Sequence, residues 1–229
     1  MRNATGVDLW LYDEIGPWGT TASDVAAALA GLAPTDRVTL RINSPGGDVF
    51  DGLAIYNLLR GHPGGVDVVV DGLAASAASF IAMAGSSVTM LAHTRMMIHD
   101  AIGFAFGNAA DMRELAALLD DVSDNIAGIY SDRSGKPTAE FRELMLAETW
   151  LSGPQALELG LIDVAEDAAE EDPDGAEGDG GEGDGEESPD GPPVPPPAEG
   201  DDGEDDAEDF VDRWERSFAA RGSKLTRAT

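Results

Sequence analysis

The segment VVVDGLAASAASFIAMAG, Val68 to Gly85, sets two serines inside the most apolar stretch of an acidic chain. A buried strand through Val66–Val70, a tight turn at Gly72 and a helix of small residues account for its composition. The hydroxyls admit two readings. Ala and Ser let two helix backbones approach closely, so both serines suit packing. Alternatively, the strand-to-helix turn puts Ser76 in the first turn of the helix, facing backbone N–H groups that have no intrahelical partner. The Ala77 N–H is then placed to bind an oxygen that gains negative charge. Ser79 lies one turn deeper and suits packing on either reading. Leu73 to Ala92 also carries no charge, which on length alone suits a membrane span. Its Ala, Ser and Gly content, the break at AGSS and the flanking strands instead predict a buried helix followed by a strand.

On the N-terminal side, VDLWLYD alternates as a half-buried strand and TTASDVAAALAGLA reads as a helix closed by Gly31. RVTLRI is a second strand, running into the loop NSPGGD and then the helix VFDGLAIYNLLR, which ends at GHPGG. On the C-terminal side, SVTMLA and RMMIH are short strands. A long amphipathic helix spans Asn108–Gly135, with Met112, Leu115, Leu118, Leu119, Val122, Ile126 and Ile129 among its apolar residues. TAEFRELMLAE and GPQALELG predict two shorter helices, and LIDV a last strand. Strands alternating with helices imply an α/β domain with parallel pairing and right-handed crossovers.

That domain covers residues 1–165. The composition changes near Glu166: of 44 Asp and Glu, 21 lie between Glu166 and Asp209, a stretch without Lys, Arg or His. It has almost nothing to bury and repels itself. Residues 166–209 are therefore expected to be a disordered acidic linker, with PPVPPP a stiff polyproline spacer. Residues 210–229 place Phe210, Trp214 and Phe218 at helical spacing with a basic end. They read as a short amphipathic helix, either formed part of the time or docking on a partner. The net charge of −30 and the absence of a basic field argue against nucleic acid or an anionic membrane as partner. No cysteine is present, which excludes disulfides, thiolate metal sites and a cysteine nucleophile. No metal or cofactor is suggested. The start, MRNATGVDLW, lacks the apolar core of a signal peptide.

A serine nucleophile needs a base, and the chain has three histidines. His62 falls in the GHPGG turn, where it is expected to be exposed, and His93 in the loop AHTR. His99 follows the strand RMMI, whose end can deliver an imidazole into a cleft. In NSPGGD, two glycines let backbone approach a ligand closely; the loop is either a plain turn or the source of a second oxyanion donor, the Gly47 N–H.

Four motifs then fall in order: INSPGGDVFDGLAIYNLL, DGLAASAASFIAMAG, MMIHD and ETWLSGPQALELGLID. Together they resemble the ClpP-like serine peptidases, and look most like the branch of phage and prophage prohead proteases, over about Val7 to Val164. The resemblance implies Ser76 as nucleophile, His99 as base, and the backbone of Gly47 and Ala77 as oxyanion hole. The third member of the triad falls on Glu148, where the best-known pattern has Asp. A glutamate is one methylene longer and still able to orient an imidazole. Asp100 and Asp163 are rivals, although Asp100 follows His99 directly, which points neighbouring side chains of a strand to opposite faces.

The resemblance further implies a spiral of ββα units shared with crotonases, assembly into a homo-oligomeric ring through the long helix, and acyl transfer without a cofactor. The expected function is a serine endopeptidase that trims capsid or scaffold protein during phage head maturation, in the bacterial cytoplasm or inside the prohead. A Clp peptidase subunit degrading unfolded protein, with an unfoldase ATPase as an open partner, is the alternative. A crotonase-type acyl-CoA enzyme and a non-enzymatic assembly protein are further readings. The Ser76–His99 pair argues against both.

Overall fold

A computed structural model describes residues 6–166. The acidic linker and the C-terminal helix expected above lie outside the described residues, apart from Glu166.

Among the described residues seven strands form one sheet: β1 (Val7–Leu11), β2 (Val38–Ser44), β3 (Val66–Ala75), β4 (Ser87–Met90), β5 (Arg95–Ile98), β6 (Thr149–Ser152) and β7 (Val164–Ala165). The order β1-β2-β3-β4-β7 is parallel throughout, as the alternation of strands and helices requires. The helices are α1 (Ala22–Ala30), α2 (Val49–Arg60), α3 (Ala77–Ala82), α4 (Ala109–Ser134), α5 (Thr138–Leu146) and α6 (Gly153–Glu158). Thr21 and Asp24 cap α1 reciprocally, Asp48 caps α2, and Asn108 and Asp111 cap α4. Gly135 closes α4 in the left-handed conformation, at φ 74.

Three features depart from the expectations. The central strand does not stop at Val70: β3 continues to Ala75, and Gly72 lies inside it rather than at a turn. The register slips there, from Ile42↔Val70 to Ser44↔Ala74. The Asn43 side chain fills the irregularity, accepting from Leu73 N–H at 3.1 Å and lying where a Cβ on residue 72 would sit. Second, TWLS forms a strand that composition did not reveal. β6 runs antiparallel to β5 at the sheet's far edge. Third, Leu161 and Ile162 are buried in the approach to β7, which begins only at Val164.

β3 holds the fold together because it changes partners along its length. Its first half pairs with β4 (Asp67–Val70), and Leu73–Ala75 pairs with β5 on the same side. One sheet face is apolar, built from Val38, Leu40, Ile42, Val66, Val68, Val70, Val88 and Met90. Against it pack α2 and the whole of α3, and buried residues of the C-terminal half of α4 join the same core. Burial of this order, at about 25 cal/mol per Å² of apolar surface, drives the fold. Gly52 is where α2 crosses α3: a Cβ there would lie 2.8 Å from the Phe80 ring. The other face carries cross-strand ion pairs, Arg37–Asp67 and Arg41–Asp71, with Tyr12 Oη donating to Asp71 at 2.6 Å.

The Leu73–Ala92 stretch is divided among the end of β3, α3, a turn and β4. No helix among the described residues is long and apolar enough to cross a membrane. The first half of α4 leaves Met112 and Leu118 exposed, and the preceding segment leaves Ile102, Phe104 and Phe106 open to solvent.

Candidate active site

The partner change of β3 builds the site. Ala75 pairs with Met97 of β5, and Ser76 N–H donates to the Met97 carbonyl at 2.9 Å. His99 is two residues beyond Met97, just past the end of β5, so the sheet register alone brings residues 76 and 99 together. Ser76 Oγ lies 2.8 Å from His99 Nε2, within proton-transfer range.

Ser76 is the residue before α3 rather than a member of its first turn. A serine at such a position ordinarily adopts extended backbone and caps the helix with its hydroxyl. This one does neither. Its backbone sits at φ 52, ψ −123, and its side chain makes no capping bond. The hydroxyl is turned to the imidazole instead. A non-glycine residue at positive φ costs on the order of 1–3 kcal/mol and persists only where its surroundings impose it. A strained strand-to-helix elbow of this kind holds a side chain out at the carboxyl end of a central strand.

The NSPGGD loop lies against the elbow. Buried Ser44 pins it, donating from Oγ to the Asp13 carbonyl at 2.7 Å and accepting from Gly46 N–H at 3.1 Å. Ile15 N–H donates to the Gly46 carbonyl and Asp48 N–H to the Ile15 carbonyl, both at 2.8 Å. This parallel bridge is centred on Ile15 and Gly47, so Gly47's own N–H points away from Ile15. Gly46 and Gly47 have φ of 90 and 149, and a Cβ at Gly46 would lie 2.6 Å from the Ala75 carbonyl oxygen. Glycine is needed for both conformation and proximity.

Gly47, Ser76, Ala77 and His99 line one end of a cleft of about 270 Å³, whose other walls include Leu115, Leu119, Val122 and Ile126 of α4. A polar end and an apolar wall suit a ligand that sets an apolar group beside a polar one.

The carboxylates sort themselves by partner. Asp100 forms an ion pair with Arg142, which also reaches Asp124 at 2.8 Å. Asp163 pairs with Arg133 and accepts from Val88 N–H at 2.7 Å. Neither rival is directed at His99. Glu148 precedes β6, and the β5–β6 ladder ends at Ile98↔Thr149, so one further step sets residue 148 opposite residue 99. Its backbone is also at positive φ, 47. Its carboxylate accepts a long bond, 3.4 Å, from Trp150 Nε1 and is exposed. The register thus sets Glu148 across from His99, and its carboxylate makes no hydrogen bond to the imidazole. His62 is half-buried, not exposed, with Nε2 2.7 Å from the Asp36 carbonyl, and His93 is remote in an exposed turn.

Sequence reasoning missed Ser44, Arg142 and Tyr130. Tyr130 is buried on α4, and its hydroxyl lies 2.7 Å from Ser79 Oγ. Burial pushes its phenol well above the ordinary range. The two residues are 51 apart in sequence, and no local signal pointed to this pair.

The sequence profile of the family described as Clp protease matches residues 9–167. Among curated relatives, ATP-dependent Clp protease proteolytic subunit 1 of Prochlorococcus marinus (strain NATL2A) is 37% identical over 132 residues, covering 57% of this chain and 67% of the relative. The ATP-dependent Clp protease proteolytic subunit of Porphyromonas gingivalis (strain ATCC BAA-308 / W83) is 34% identical over 148 residues, 62% of this chain and 67% of the relative. Subunit 2 of the corresponding protease of Thermobifida fusca (strain YX) is 36% identical over 147 residues, with 62% and 72% covered.

Proposed function

This chain belongs to the Clp protease family of serine peptidases, and from that premise we propose that it hydrolyses peptide bonds with Ser76 as nucleophile and His99 as general base. The observation that carries the reading is the 2.8 Å contact between Ser76 Oγ and His99 Nε2 at a strained elbow. His99 takes the hydroxyl proton as Ser76 attacks the carbonyl. The tetrahedral oxygen is held by the N–H groups of Gly47 and Ala77. His99 then protonates the leaving amine, and a water activated by the same imidazole clears the acyl-enzyme. Glu148, which the β5–β6 register sets across from residue 99, orients the imidazole and offsets its positive charge.

The substrate class follows the relatives more than the prohead resemblance. Their names describe proteolytic subunits of ATP-dependent proteases, which supports a Clp peptidase subunit acting on unfolded polypeptide delivered by an ATPase. Exposed Met112, Leu118, Phe104 and Phe106 support burial of the first half of α4 in a ring of copies. Cleavage of capsid or scaffold protein during head assembly keeps the motif resemblance as its support. The family match sets the crotonase reading aside.

Hydrolysis of a fluorogenic peptide and of an unfolded protein by the full chain tests the assignment. Ser76→Ala is expected to abolish both with circular dichroism and melting unchanged. Undiminished hydrolysis in that variant would end it.

A further inference from the structure

Ser79 and Tyr130 lie outside the groups given roles above, yet they meet directly behind the nucleophile. Ser79 has no exposed surface and Tyr130 is 1% exposed. Ser79 Oγ donates to the Ser76 carbonyl at 2.5 Å and lies 2.7 Å from the Tyr130 hydroxyl. A serine has one hydroxyl proton, and here the carbonyl takes it. The Tyr130 O–H is therefore the donor to Ser79 Oγ, and the chain runs one way, from phenol to serine to carbonyl. The Ser79 backbone N–H donates to the same carbonyl at 3.0 Å, so that oxygen accepts two bonds.

The Ser76 carbonyl and the Ala77 N–H are the two ends of one peptide unit. Hydrogen bonds to a peptide oxygen polarise the unit and strengthen its N–H as a donor, on the order of 10–30% per bond. They also fix the peptide plane, and with it the direction of the N–H. The elbow needs such fixing, because φ 52 with ψ −123 is not a conformation an alanine- or serine-rich segment holds unaided. Serine back-bonds to a carbonyl three residues earlier are common in helices. This one differs in its acceptor, the carbonyl of the elbow itself, and in its backing by a buried phenol from a distant helix. Tyr130 is in turn held by Phe141 of α5, with ring centroids 5.6 Å apart.

We propose that Ser79 and Tyr130 are positioning residues that hold and polarise the peptide bearing the Ala77 oxyanion donor, tying helix α4 to the nucleophile. The inference deepens the peptidase reading and rests on it. It also changes the role of the second serine, which supports the reaction of the first as well as packing.

The test uses the full chain, a fluorogenic peptide, and a peptide aldehyde whose hemiacetal oxygen occupies the oxyanion position. Ser79→Ala removes the donor; Tyr130→Phe removes only the hydroxyl and keeps the ring on Phe141. Expected are falls in kcat of about tenfold and about threefold, with KM within about twofold. Aldehyde affinity should fall in step with kcat/KM. The double variant should be no worse than Ser79→Ala, since Tyr130 acts through Ser79, and Ser79→Thr should recover most of the loss. The proposal is overturned by kcat and aldehyde affinity within about twofold of the parent in Ser79→Ala, or by losses confined to KM or melting temperature. If Ser79→Ala does not fold, Tyr130→Phe decides by the same two readouts. A parent that neither turns over the peptide nor reacts with a fluorophosphonate refutes the peptidase reading itself, and is seen before any of these variants is compared.

Discussion

Replacing Gly46 by alanine measures how closely the oxyanion loop is held to the nucleophile. At φ 90, a Cβ on residue 46 would lie 2.6 Å from the Ala75 carbonyl oxygen, 2.7 Å from Ser76 Cβ and 2.8 Å from Ala77 N. None of these is the tip of a flexible side chain, so none can swing aside. Ordinary van der Waals separation returns only if loop and elbow part by about 0.8 Å. That movement pulls on the Ile15 N–H to Gly46 carbonyl bond and the Gly46 N–H to Ser44 Oγ bond. Positive φ costs alanine about 1–2 kcal/mol and crowding about 1–3 kcal/mol, for a stability loss of about 2–5 kcal/mol. Misplacing reacting groups by about 1 Å costs on the order of 10²-fold in rate. Urea denaturation gives the first quantity. The second comes from kcat/KM on a peptide and the second-order rate of fluorophosphonate inactivation, both measured where the variant is folded. Both rates should fall about 100-fold. A folded Gly46→Ala within about threefold of the parent would refute the claim that this loop sets the oxyanion hole.

Glu148→Gln should lower kcat by about 10–100-fold, less than loss of Ser76, because the carboxylate is exposed and not yet bonded to His99; steady-state kinetics with unchanged rates would remove it from the triad. Arg142→Ala should destabilise by about 1–3 kcal/mol in urea, because it leaves half-buried Asp100 without its partner. Arg142→Lys should restore only part of that, lacking the planar fork. Asp67 is held below the ordinary carboxyl range first by the hydrogen bond from Arg37, with help from Ser87. A depressed folded value means its stabilisation is present above the unfolded pKa of about 3.9 and lost as pH falls through the folded one. Urea midpoints should therefore drop below about pH 4 in the parent and drop less in Asp67→Asn.

Much of the fold was legible because its helices announce their ends. Thr21, Asp48 and Asn108 are caps, Gly135 a left-handed stop, and the apolar period between them is 3.6. Two elements were hidden for physical reasons. The second half of β3 is DGLAA, where glycine and alanine read as a turn, yet the register shift around Asn43 keeps the segment paired. β6 is four residues at a sheet edge, too short for alternation to show, and it is the strand that brings Glu148 beside His99. Ser76 and His99 were singled out from residue types and motif order, and the structure brings their side chains to 2.8 Å. What the sequence could not show is how they meet, because that depends on β3 exchanging β4 for β5 midway. Arg142 and Tyr130 were illegible for the same reason: their partners lie 42 and 51 residues away, and no local pattern marks a buried phenol as a donor.

Reaction of the full chain with a fluorophosphonate, followed by peptide mass mapping, tests the central claim most directly. The account predicts one adduct, on Ser76, that disappears in Ser76→Ala and forms at least about 100-fold more slowly in His99→Ala. An adduct on another residue, or labelling that survives both substitutions, would contradict it.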